Sequence, residues 1–112
     1  MKDPEDFAGK TKKEVLEYVK QWGQEGNLED CQNYSPTMRE LLAYAHYADT
    51  TYDGYIVKDI HRPDRRVTVD GITLKHITAE EAVEILQQFK SADNLTCEKQ
   101  DDGTYVLYAW WD

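Results

Sequence analysis

The chain is short of most things that announce a reaction. Its 112 residues include two cysteines, three prolines and two phenylalanines, and no apolar run long enough to cross a bilayer. Cys31 and Cys97 belong to no C-x-x-C pair, so neither a zinc ribbon nor a redox motif is written here. There is no G-x-S-x-G, no P-loop and no G-x-G-x-x-G. His46, His61 and His76 complete no H-x-x-x-H or H-E-x-x-H set, although His46 with Asp49, and His61 with Asp64, are spaced three residues apart. No catalytic residue, metal site or cofactor is assigned, and the chain reads as a binding protein rather than an enzyme. The opening "MKDPEDFAGK" lacks the apolar core of a signal peptide, which sets the expectation of a cytoplasmic protein with reduced thiols.

Positive charge is also scarce. The net charge is −9, and it is uneven. Residues 1–55 hold six basic and eleven acidic groups, and residues 77–112 hold two basic and eight acidic groups. Between them, residues 56–76 hold five basic groups (Lys58, Arg62, Arg65, Arg66, Lys75) against three acidic ones. Such a surface repels phosphate backbones and anionic membranes, and steers toward a basic protein.

What the chain does have is aromatics, at 12 %, eight of them tyrosine and three tryptophan. That excludes disorder and promises one core-bearing domain. Helices are expected in "GKTKKEVLEYVKQWGQEGN", stopped by Gly23 and Gly26, in "SPTMRELLAYAHYAD" and in "TAEEAVEILQQFKSADN". Thr11 with Glu14, and Thr78 with Glu81, have capping-box spacing, and Ser35 with Pro36 opens the middle helix. The buried stripes are Val15, Tyr18, Val19 and Trp22; Met38, Leu41, Leu42, Ala45 and Ala48; and Ala82, Val83, Leu86 and Phe89, with Ile85 on the flank.

Turns are expected at Asp53-Gly54 and at residues 62–65, with His61 opposite Arg66. A two-residue hairpin turn at Asp70-Gly71 would pair Val69 with Ile72 and Val67 with Leu74. In the last hairpin, "QDDGT" makes a three-residue loop with Gly103 left-handed. That register sends Leu107, Ala109 and Trp111 to the core, and Val106, Tyr108 and Trp110 to the other face. The result is a single α+β domain over residues 1–112, in the order α-α-β-β-β-α-β-β. Its sheet is antiparallel with helices mainly on one face, and residues 1–10 are irregular.

A protein-binding surface needs charges for steering and rigid aromatic anchors for affinity. Tyr47, Asp49, Tyr52, Asp53 and Tyr55 leave the second helix for an expected turn, and Tyr108 and Trp110 share the second face of the last strand. These seven form the expected partner surface. The expected partner is a larger basic protein, as for an inhibitor, an immunity protein against a toxin, or a phage protein that evades host defence. The exposed C-terminal hairpin could also pair two copies as a homodimer. The alternative is phosphate or nucleic-acid binding by Lys58, Arg62, Arg65 and Arg66 at a hairpin tip.

Overall fold

A computed structural model of the chain describes residues 4–47 and 49–112. The fold is α+β, with three α-helices and one five-stranded antiparallel sheet in the order β1-β2-β3-β5-β4. The strands are β1 (Glu5–Lys10), β2 (Thr50–Val57), β3 (Arg66–Ile77), β4 (Asn94–Lys99) and β5 (Tyr105–Trp110). The helices are α1 (Lys12–Trp22), α2 (Met38–Leu42) and α3 (Ala79–Gln88).

The helix starts follow their local chemistry. Thr11–Glu14 and Thr78–Glu81 close capping boxes, each hydroxyl accepting a backbone N–H while the glutamate reaches back. In the middle helix the cap is Thr37, boxed with Glu40, and not Ser35. Ser35 instead accepts the Gln32 N–H at 2.9 Å, which folds the preceding turn. This helix is also short: after Leu42 the chain tightens to a 3₁₀ turn over Ala43–His46. Ala48, expected in its stripe, lies outside the described residues. In α3 the core side is Ala82, Ile85 and Phe89, while Val83 is 58 % exposed. Ile85 and Val83 therefore exchange the places expected of them.

The element order differs from expectation in three places. Residues 5–10 form a strand, with Phe7 opposite Gly54 and Asp6 opposite Tyr55. Asp53-Gly54 is no turn but the middle of β2. Nor is Asp70-Gly71 a hairpin turn, because β3 runs unbroken through it. The two Asp-Gly steps meet across the β2–β3 ladder. Asp53 faces Gly71, Gly54 faces Val69, and Asp70 is the extra residue of a bulge. The Trp111 N–H donates to the Asp70 carbonyl at 2.8 Å and fixes that bulge to the end of β5. Beyond Val57, paired with Arg66, the chain leaves the sheet, so the connection spans residues 58–65. His61 and Ile60 consequently pair with nothing in β3, and Ile60 is 67 % exposed.

The bulge keeps one face apolar along the whole ladder. Tyr52 opposes Ile72, Ile56 opposes Val67, and Leu74 and Ile72 oppose Leu107 and Ala109. Helices reach this face at separate points. Tyr18 of α1 packs on Phe7, with ring centroids 5.3 Å apart. The Leu41 carbonyl of α2 accepts the Tyr52 hydroxyl at 2.8 Å. Phe89, capping α3, meets Trp111 edge-on at 5.3 Å.

Candidate functional site

Strand alternation fixes what the other face presents. One row across the sheet runs Asp53, Gly71, Trp110, Asn94; the next runs Thr51, Thr73, Tyr108, Thr96. Gly71 matters because it has no side chain. A Cβ there would lie 3.3 Å from the Asp53 Cβ and 3.5 Å from the Tyr108 hydroxyl, so glycine leaves a notch between them. The bulge then sets the Asp70 carboxyl beside that notch.

Asp70 is half-buried, and its pKa is pushed up to about 6, first by burial and then by the neighbouring Asp53 carboxylate. The nearby Trp110 side chain opposes that rise. The Tyr108 hydroxyl is raised by burial, then by Asp53 and Asp70. Asp53 also accepts the Gly9 N–H at 2.9 Å, which ties β1 to the same place. Two half-buried carboxyls flanked by a phenol and an indole place negative charge and aromatic faces side by side, the chemistry that attracts a cationic group.

The expected partner surface divides. Asp53, Tyr108 and Trp110 come together as described. Tyr52 does not join them, for it is fully buried, which raises its pKa, and its hydroxyl is hydrogen-bonded inside the core. The correction follows from the absent turn: in a continuous strand, Tyr52 alternates with Asp53 and points inward. Tyr47 and Asp49 lie at the helix end, where Tyr47 stacks near Tyr44 and His46 at centroid distances of 6.2 and 4.2 Å. Asp49 does not pair with His46; its carboxylate contacts His76, and both residues have left-handed backbones, with φ of 56° and 61°. His46 turns its Nδ1 to the Ala43 carbonyl at 2.7 Å.

Tyr55 belongs to the basic tip. The Arg66 guanidinium lies 5.5 Å from the centre of its ring and donates to its hydroxyl at 3.2 Å. The remaining cations have partners within the chain. Arg62 grips Asp64 with two bonds of 2.7 and 2.8 Å, and Arg66 shares that carboxylate at 3.1 Å. Arg65 donates to the Trp22 carbonyl, and Lys58 pairs with Glu5 at 2.6 Å beneath the Trp22 ring. Asp64, whose carboxyl the Arg62 bond holds below its ordinary pKa, therefore serves the arginines and not His61. The cleft of about 290 Å³ beside this tip carries Glu25, Asp30 and Asp64 against Arg65 and Arg66, a lining of mixed charge.

Two contributors escaped sequence reasoning. A turn at Asp70-Gly71 keeps Asp70 and Asp53 apart, whereas the bulge sets the two carboxyls near each other. Asn27 is 4 % exposed and brackets the Val67 backbone with bonds of 2.9 and 3.0 Å, as a strand neighbour would. Among the described residues no group of His, Cys, Asp and Glu is placed to hold a metal ion, and no helix is long and apolar enough to cross a membrane. Compared with protein-family models, curated proteins and solved structures, the chain matches none.

Proposed function

We propose that this chain is a protein-binding module. The sheet face carrying Asp53, Asp70, Tyr108 and Trp110, opposite the face the helices reach, docks on a basic surface of a larger protein. The observation that supports the reading is the notch over Gly71, where two carboxyls and two aromatic side chains converge. A lysine or arginine entering it would meet charge on one side and aromatic rings on the other. Occupying a basic surface in this way masks groups that would otherwise bind phosphate, which is how an inhibitor or immunity protein acts. A cytoplasmic setting fits this role.

The test begins with capture of the partner from the native host, followed by association and dissociation rates across a salt series. Exposed charges are screened over about 10 Å at 0.1 M salt, so association should slow steeply as salt rises. Asp53→Lys should slow association. Trp110→Ala and Tyr108→Ala should speed dissociation, with at least one costing about 2 kcal/mol. Salt-independent association, with all three variants binding as the parent does, would overturn the proposal.

A further inference from the structure

The two edges of the sheet are unlike. The outer strand β1 is broken, since its pairing slips between Phe7 and Lys10 and Gly9 is left-handed at φ 65°. Such irregularity is how edge strands are kept from accepting another strand. At the opposite edge, β4 pairs with β5 without a slip from Asn94 to Lys99, and none of its residues has a positive φ.

The hairpin loop fixes which backbone groups of β4 point outward. Gln100 faces Thr104 and donates to its carbonyl at 2.7 Å. Antiparallel alternation then turns Glu98, Thr96 and Asn94 toward β5, and leaves the N–H and C=O groups of Leu95, Cys97 and Lys99 directed away from the sheet. Side chains alternate as well. Thr96 and Glu98 lie on the face of Tyr108, whereas Leu95 and Cys97 pack toward the core. Residues 93–112 carry five carboxylates (Asp93, Glu98, Asp101, Asp102, Asp112) and one amine, Lys99. A second copy would bring two such acidic hairpins together.

We propose that the β4 edge accepts an extended basic segment of the partner as a sixth strand. Basic residues of that segment alternate with apolar ones, the basic ones beside Glu98 and the Tyr108 face and the apolar ones beside Leu95 and Cys97. This deepens the reading of a basic partner and rests on it. Backbone bonds to Leu95, Cys97 and Lys99 supply binding, and the alternating side chains supply selection.

The probe is an acetylated, amidated Val-Lys-Val-Lys-Val-Lys peptide, compared with its Val-Glu counterpart and with a version N-methylated at alternate amides. Amide hydrogen exchange of the full chain is read by NMR. Saturating Val-Lys peptide should slow exchange at Leu95, Cys97 and Lys99 at least about tenfold, and leave Thr96 and Glu98, already bonded to β5, unchanged. Methylation on the bonding edge should abolish this. Lys99→Pro removes one outward N–H at a position where an edge strand tolerates proline, and should weaken binding at least about tenfold. Lys99→Ala, which loses the same charge, should bind as well as the parent.

Peptide bound without protection at the three amides would overturn the added strand and leave the basic-partner reading standing. Equal protection by the Val-Glu peptide would overturn the basic-partner reading itself. Protection that grows with protein concentration alone would assign the edge to a second copy, and no binding by either peptide would overturn the proposal. Should Lys99→Pro fail to fold, the methylated peptide still decides.

Discussion

Asp53 and Gly71 stand opposite one another across β2 and β3, each the neighbour of a residue that the other's strand must accommodate. Beside Asp53, Gly54 has no room at all. A Cβ there would sit 1.9 Å from the Thr68 carbonyl oxygen and 2.7 Å from Phe7. Gly71 is less confined, since the nearest atoms are side chains of Asp53 and Tyr108 at 3.3 Å or more.

The two glycines should therefore differ under the same substitution. Gly54→Ala should cost about 3 kcal/mol or more, because backbone must move. Gly71→Ala should cost about 1 kcal/mol or less while filling the notch, so that partner binding falls more than stability does. Urea titration of both variants, beside the rate measurements, checks this. Gly103, left-handed at φ 86°, has open space around it, and its replacement by valine should cost about 1 kcal/mol through backbone strain alone.

Asp70 gives the stability a particular pH dependence. Its folded pKa of about 6 is above the ordinary 3.8, so between those values the folded state holds a proton that the unfolded chain has lost. Stability from this group is complete below pH 4 and falls as pH rises through 6. Asp70→Asn keeps the side-chain shape and removes the penalty of a charged carboxyl there. It should be more stable than the parent at pH 7, by on the order of 1 kcal/mol once solvent screening is allowed for, with the difference vanishing near pH 4. Thermal unfolding across pH 4–8 gives the answer.

Tyr52→Phe should leave binding untouched and cost about 1 kcal/mol or somewhat more, because the Leu41 carbonyl loses its buried donor. An effect on partner dissociation with no loss of stability would return Tyr52 to the surface.

The thiols should react unequally. Cys31 is exposed, whereas Cys97 is half-buried with a pKa raised by burial, so less of it is thiolate. Titration of the native protein without reductant should show one fast and one slow thiol, and unfolded protein should show two that react quickly.

Features that depend on near neighbours could be read directly. The two predicted capping boxes and the Gly103 loop involve residues three or four apart, and the loop fixed the faces of Tyr108 and Trp110. The misread middle has a physical cause. Val67 and Val69 are buried at odd positions, Ile72 and Leu74 at even ones. A two-residue turn shifts that parity, and a one-residue bulge shifts it identically. Only the partner strand decides, and its eight residues need the whole of Arg66 to Leu74 opposite them. Once Asp53-Gly54 is taken for a turn that partner disappears, Tyr52 becomes a surface residue, and Asp70 never meets Asp53. β1 was hidden because "EDFAGK" has one large apolar residue, Phe7, whose burial depends on Gly54 far along the chain.

That last pairing constrains how the molecule comes into being. Glu5 lies opposite Ile56, so the first strand to be synthesised has nothing to join until β2 exists. β3 in turn has one flank open until β5 arrives from the C-terminal end. The sheet is completed by long loop closures rather than by zipping from neighbour to neighbour, a topology that slows folding. During translation the half-made sheet of β1, β2 and β3 presents bare backbone along one side of β3, and it is the final hairpin that closes that side.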